Sequence, residues 1–215
     1  MKSVNPAGLL TLDFRDPEGS AHRVREFARA HPVDAIVGVD EETAVVAAAC
    51  SRALGLRTNS PEAAAAARDK ALMRRLLDAA GVPNPRSRVF PLAEGPSEAA
   101  EAVSYPCVLK PTFLAASRGV IRANDPASFH AAWKRIAAIL REPDAAEKGG
   151  PSASVILVEE FVSGREVAVE GMLSEGNLEI LAIFDKPDPL DGPFFEETIY
   201  VTTALTPLAR SSSCR

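Results

Sequence analysis

The 215-residue sequence predicts an α/β fold. Three observations carry that expectation. Strand-length apolar runs alternate with helix-length stretches over the first sixty residues. Phe129, Trp133, Ile136 and Leu140 recur at spacings of four, three and four, which is one buried helical face. Residues 154–184 then hold three strand-length segments broken by turn residues.

Residues 8–14 read as a strand, 18–30 as a helix, 34–39 as a buried strand and 40–54 as an Ala-rich helix closed by Gly55. That β-α-β-α order argues for a parallel sheet. Two strands make a poor sheet alone, so this unit either packs on the rest of the chain or lacks half of itself. Ser60-Pro61-Glu62 starts a further helix, with a capping hydroxyl, Pro at the first position and an acid near the positive end. Asp69 caps the next, whose stripe is Leu72, Met73, Leu76, Leu77 and Ala80, ended by Gly81.

Residues 87–90 read as a strand, 96–103 as a short helix, and 105–110 and 119–122 as a strand pair. Asp125-Pro126 opens the helix carrying Phe129 and Trp133, and the polar residues 143–153 read as a loop. Strands follow at 154–161, 166–173 and 178–184, with a turn at Glu175-Gly176-Asn177. A Pro- and Asp-rich loop at 185–193 leads to a last strand at 194–202, and 211–215 carry no pattern.

Composition narrows the function. The net charge is −5 with no basic tract, which removes the electrostatic footprint of nucleic-acid binding. No apolar run approaches the roughly 18 residues of a membrane span. The three cysteines are widely spaced, with no metal or disulfide pattern, which suits a reducing cytoplasm. No GxGxxG follows the first strands, which argues against a dehydrogenase.

Three segments can carry chemistry. Lys110 closes an apolar strand ahead of residues 111–119 (PTFLAASRG), a layout that lays backbone N–H groups over phosphates. Residues 158–166 (VEEFVSGRE) form an acidic connector able to meet an adenine edge and a ribose. Lys70 and Arg74, four apart, share a helix face that suits an anion. Each has a plain alternative: a solvated lysine, an exposed hairpin, a solvated helix face.

In order, Asp69-Lys70, then Leu109-Lys110-Pro111, then Arg118-Gly119-Val120 after six residues, then VEEFVSGRE resembles the ATP-grasp superfamily. Within it, the match is to carboxylate–amine ligases and biotin-carboxylase-like members, from about residue 8 to about 202. The resemblance implies an incomplete α+β ATP-grasp domain at 61–215, preceded by a partial Rossmann-like unit at 1–60. It implies that Lys70 and Lys110 contact phosphates and that Ser117, Arg118 and Gly119 belong to a lid loop. Glu159, Glu160 and the Val162 backbone would meet the adenine edge, Phe161 would wall its slot and Glu166 would hold the ribose. ATP would phosphorylate a small-molecule carboxylate, and an amine or other nucleophile would displace the phosphate, with Mg²⁺ as the family's metal.

The sequence departs from that pattern. Phe113, Leu114, Ala115 and Ala116 replace lid glycines. The family's downstream acidic Mg²⁺ ligands have no counterpart before Arg215, since Glu175 and Asn177 read as a turn. Lys186, Glu196 and Glu197 are candidates for the substrate pocket, with a solvated loop as the alternative. Both ends look cut, and a compact short form is the other reading. The expectation is an incomplete ligase segment with weak ATP affinity and little turnover. A non-catalytic nucleotide-binding module and a non-binding remnant are the rivals.

Overall fold

The computed structural model describes residues 9–188, 191–195 and 199–202. The chain divides into two compact units, Met1–Asn84 and Pro85–Arg215.

In the first unit the described residues form four helices: α1 (Pro17–Ala28), α2 (Ala44–Ala53), α3 (Pro61–Arg68) and α4 (Lys70–Ala79). Asp16 caps α1 by accepting from the Gly19 N–H, and Ser60 caps α3 by accepting from the Ala63 N–H. The Asp69 carboxylate accepts from Ala71 and Leu72 at the start of α4. Helix α2 begins four residues later than expected. Asp40 and Thr43 exchange side-chain hydrogen bonds there, and the turn they make occupies residues 40–43.

The strands expected at 8–14 and 34–39 are not formed by the described residues, and neither is their parallel sheet. Leu10, Leu12 and Ile36 do turn inward onto Val24, Val46 and Cys50. Leu9, Val37 and Val39 point the other way and are 78% exposed or more. The side-chain alternation of a strand is present, but the backbone finds no neighbouring ladder.

The second unit is built on a four-stranded antiparallel sheet. Its strands are β1 (Ser87–Pro91), β2 (Cys107–Lys110), β3 (Ile121–Ala123) and β4 (Val155–Glu160), in the order β1-β4-β2-β3. One face carries Phe90, Cys107, Leu109, Ile121, Ala123, Ile156 and Val158. Helix α5 (Pro96–Glu101) and helix α6 (Pro126–Leu140) cover that face. The α6 stripe is the one read from sequence: Phe129, Trp133, Ile136 and Leu140 are all buried, and Phe129 stacks on Trp133. Asp125 and Ser128 close a reciprocal capping box at its start.

Residues 143–153, expected as a loop, instead form α7 (Pro143–Gly149) and a 3₁₀ turn. Pro143 sits at the first helical position and Ala145 is fully buried, which anchors a seven-residue helix whose other side chains include Asp144, Glu147 and Lys148.

A second sheet holds β5 (Val167–Ser174), β6 (Asn177–Asp185) and β7 (Val201–Thr202), all antiparallel. The turn at Glu175-Gly176 has both residues in the left-handed region, as a two-residue hairpin requires. Of the strand expected over 194–202, the described residues form β7 and a bridge between Phe194 and Ile121. Residues 196–198 and 203–215 lie outside the described residues. No helix among the described residues is long and apolar enough to cross a membrane.

Candidate functional site

Antiparallel register decides which side chains share a face. Val108 pairs with Glu159 on one side and Arg122 on the other, so these three form a row across β4, β2 and β3. Lys110 stands two residues along β2, on the same face. This is the face opposite the α6 core.

Lys110 Nζ lies 2.5 Å from Glu159 Oε2, with the two side chains 15% and 4% exposed. A charge pair this dry persists only because each partner neutralises the other. Glu160 points to the other face. It accepts from the Arg86 N–H (3.1 Å) and from Arg86 Nε–H (2.7 Å). The backbone bond from Arg86, followed by its side-chain bond, holds the Glu160 carboxyl below the usual range. Of the two adjacent acids, only Glu159 therefore presents its carboxylate to Lys110.

Phe161 follows β4 and donates its N–H to the Pro106 carbonyl (3.2 Å). From there residues 161–166 line a cleft of about 500 Å³, whose other wall is Lys186, Pro187, Asp188 and Asp191. Glu166 and Lys186 face each other across it as an ion pair. Arg165 pairs with Asp185 beside them. The ring of Phe161 rests on the Arg122 guanidinium, 3.9 Å from ring centroid to Cζ.

The loop joining β2 to β3 is drawn to α7. Arg118 forks between Glu142 (2.5 Å) and Asp144 (2.7 Å). Those bonds, Asp144's first, raise the guanidinium further above its ordinary value, and Arg118 lowers the Asp144 carboxyl. Phe113 lies so close to Gly149 that a Cβ there would stand 2.3 Å from its ring. Ala116 and Ser117 hold positive φ angles of 51° and 55°, where glycine would be unstrained. Gly119, at +79°, packs on Pro111.

Phe161, Val162, Glu166 and Lys186 thus line one cleft. Lys110 and Glu159 pair on the sheet face opposite the α6 core, Glu159 two residues before Phe161 and Lys110 at the far end of β2, opposite Leu157. Ser117, Arg118 and Gly119 sit together on the β2–β3 loop, and Lys70 opens α4 in the first unit. Glu196 and Glu197 lie outside the described residues. Sequence reasoning missed Arg122 and Arg86. Arg122 carried a signal: it is the charged member of an Ile-Arg-Ala strand whose neighbours are both buried. Among the described residues no three His, Cys, Asp or Glu side chains gather in a metal-binding group.

The second unit is an antiparallel sheet covered by helices on one face, with a strand end that runs into an acidic connector beside a charged cleft. Residues 103–210 match the ATP-grasp domain, and residues 4–58 match the ATP-grasp N-terminal domain. The chain belongs to the ATP-grasp family. It is 30% identical over 207 residues to alanine–anticapsin ligase of Bacillus subtilis (strain 168), covering 90% of this chain and 43% of that protein. The crystal structure of L-amino acid ligase from Bacillus licheniformis superposes with a TM-score of 0.71 at 27% identity, over 92% of this chain and 46% of that one. The ADP complex of an N5-carboxyaminoimidazole ribonucleotide synthetase shares the fold, with a TM-score of 0.63 at 16% identity, over 94% and 48%. The chain spans less than half the length of each of these relatives.

Proposed function

We propose that the chain is the nucleotide-binding part of an ATP-dependent ligase that joins a small-molecule carboxylate to an amine. The carrying observation is the dry Lys110–Glu159 pair on a sheet whose β4 strand runs on, two residues after Glu159, into the cleft of residues 161–166. The likeness to an amino-acid ligase and to alanine–anticapsin ligase supports the substrate class.

In this reading the Val162 backbone meets the adenine edge, Phe161 walls its slot, Glu166 accepts from the ribose hydroxyls and Lys110 reaches the α/β phosphates. Ser117, Arg118 and Gly119 serve the β/γ end. A carboxylate oxygen attacks the γ-phosphorus and ADP leaves. The amine then attacks the acyl carbon, phosphate leaves, and the amine gives up a proton. The protein's share of such chemistry is positioning and charge neutralisation.

One observation favours a second reading, a nucleotide-binding module without turnover. Lys110, Arg118, Arg165 and Lys186 are each already engaged by a carboxylate. A triphosphate must displace those partners, which lowers its affinity.

Calorimetric titration of ADP and a non-hydrolysable ATP analogue into the chain tests the shared claim. Saturable binding is expected, weakened tenfold or more by Lys110→Met, at about 1.4 kcal/mol per tenfold. A wild-type chain that binds neither ligand overturns it. Phosphate release from ATP with an amino-acid mixture separates the two readings.

A further inference from the structure

We infer that Arg122 is a positioning residue for the base slot, tying its two walls into one unit. The inference rests on the nucleotide reading of the cleft. It goes beyond it by assigning a role to a residue outside the cleft lining.

The two walls come from different segments. Residues 161–166 form one, and Lys186, Pro187, Asp188 and Asp191 the other. Arg122 touches both. Its guanidinium lies 3.9 Å from the centroid of the Phe161 ring, close enough for a cation–π contact. Its NH1 donates to the Asp191 carbonyl (2.7 Å), and its Nε donates to Asn124 Oδ1 (2.8 Å). Two hydrogen bonds at different edges of a planar group fix its rotation, so the plane offered to Phe161 is set by Asn124 and Asp191.

The stem is held as well. The Arg122 N–H donates to the Pro193 carbonyl (2.9 Å). Gly192 lies against the methylenes: a Cβ there would come within 2.8 Å of Arg122 Cβ, and its φ of +86° disfavours any side chain. Residues 191–193 therefore grip Arg122 from the backbone outward, and Arg122 grips Phe161. Its row position beside Val108 and Glu159 puts this cross-tie on the face that carries Lys110.

Arg122 is thus expected to govern the adenine end of the site while leaving the phosphate end alone. The test measures binding of ADP and of inorganic tripolyphosphate to the full chain. Variants are Arg122→Gln, Arg122→Lys, Phe161→Leu and the Arg122→Gln/Phe161→Leu double. Arg122→Gln is expected to weaken ADP roughly fivefold, within the usual range of a cation–π contact, and to leave tripolyphosphate unchanged. Arg122→Lys, which keeps charge but not the fork, recovers only part. The double variant is expected to lose no more ADP affinity than Phe161→Leu alone, because the pair acts as one element. Gly192→Ala, which leaves both side chains intact, is expected to reproduce the selective loss. Equal loss of both ligands, additive single effects, or unchanged ADP binding in Arg122→Gln overturns the assignment while the nucleotide reading stands. A wild-type chain that binds no ADP overturns both.

Discussion

The Lys110 ammonium and the Glu159 carboxylate form an ion pair of 2.5 Å on the sheet face opposite the α6 core, with Glu159 only 4% exposed. Removing the lysine takes away a charge that the buried carboxylate faces at short range. Lys110→Met leaves a buried carboxylate without that counter-charge, which costs about 3–5 kcal/mol in comparable pairs. Lys110→Met/Glu159→Gln removes the carboxylate charge as well and is expected to regain more than half of the loss. Urea unfolding followed by Trp133 emission measures both. A single variant as stable as wild type would show that water reaches the pair.

Acid is expected to destabilise the protein through identifiable carboxylates. Glu160 is held below its usual value by the Arg86 N–H and guanidinium, and Asp144 by Arg118. Asp125 is held there by the Ser128 cap. A carboxyl depressed in the folded state adds stability that is fully present above its unfolded value. That stability is lost as pH falls through the folded one. Melting temperature is therefore expected to be level near neutrality and to fall below roughly pH 4. Glu160→Gln lowers the plateau, and its difference from wild type closes as the pH drops. A difference that persists unchanged into acid would assign the effect to packing and not to charge.

The core of the second unit depends on α6. Phe129 is fully buried, stacked on Trp133 and edge-on to Tyr105. Phe129→Ala is expected to cost about 3–5 kcal/mol. Trp133 is the chain's only tryptophan and 3% exposed, so its emission reports this unit specifically. Red-shifted emission before denaturant is added would mean that the variant core has opened outright.

What was legible in the sequence follows from how local each signal is. The α6 stripe and the helix starts at Ser60, Asp69 and Asp125 are decided within a few residues, and they read correctly. The two strands flanking VEEFVSGRE were legible because an apolar run meets a glycine turn and then an alternating run within a few positions. The strands at 8–14 and 34–39 were misread because alternation specifies inward and outward side chains but does not supply a ladder partner. Helix α7 was missed because one buried alanine and an N-terminal proline leave little periodicity in seven residues. Arg122 escaped notice because its meaning lies in Phe161 and Asp191, far along the chain. A lone arginine in a strand otherwise reads as a solvated side chain.

The β2–β3 loop yields the last prediction. Arg118 is bound by two carboxylates at the start of α7, while Phe113 packs over Gly149 at its end. The loop is thereby fastened at two points, one ionic and one apolar. If Arg118 is to meet phosphate, it must leave Glu142 and Asp144, so those acids compete with the ligand. Glu142→Gln/Asp144→Asn frees the guanidinium without touching Phe113. Tripolyphosphate binding is expected to tighten roughly threefold, a modest change because exposed pairs are weak. Trypsin cleavage after Arg118 is expected to quicken in the absence of ligand. Faster cleavage without tighter binding would mean that the carboxylates fasten the loop but Arg118 never serves the phosphates. No change in either would place the restraint at Phe113 and Gly149, and Phe113→Ala would then release the loop alone.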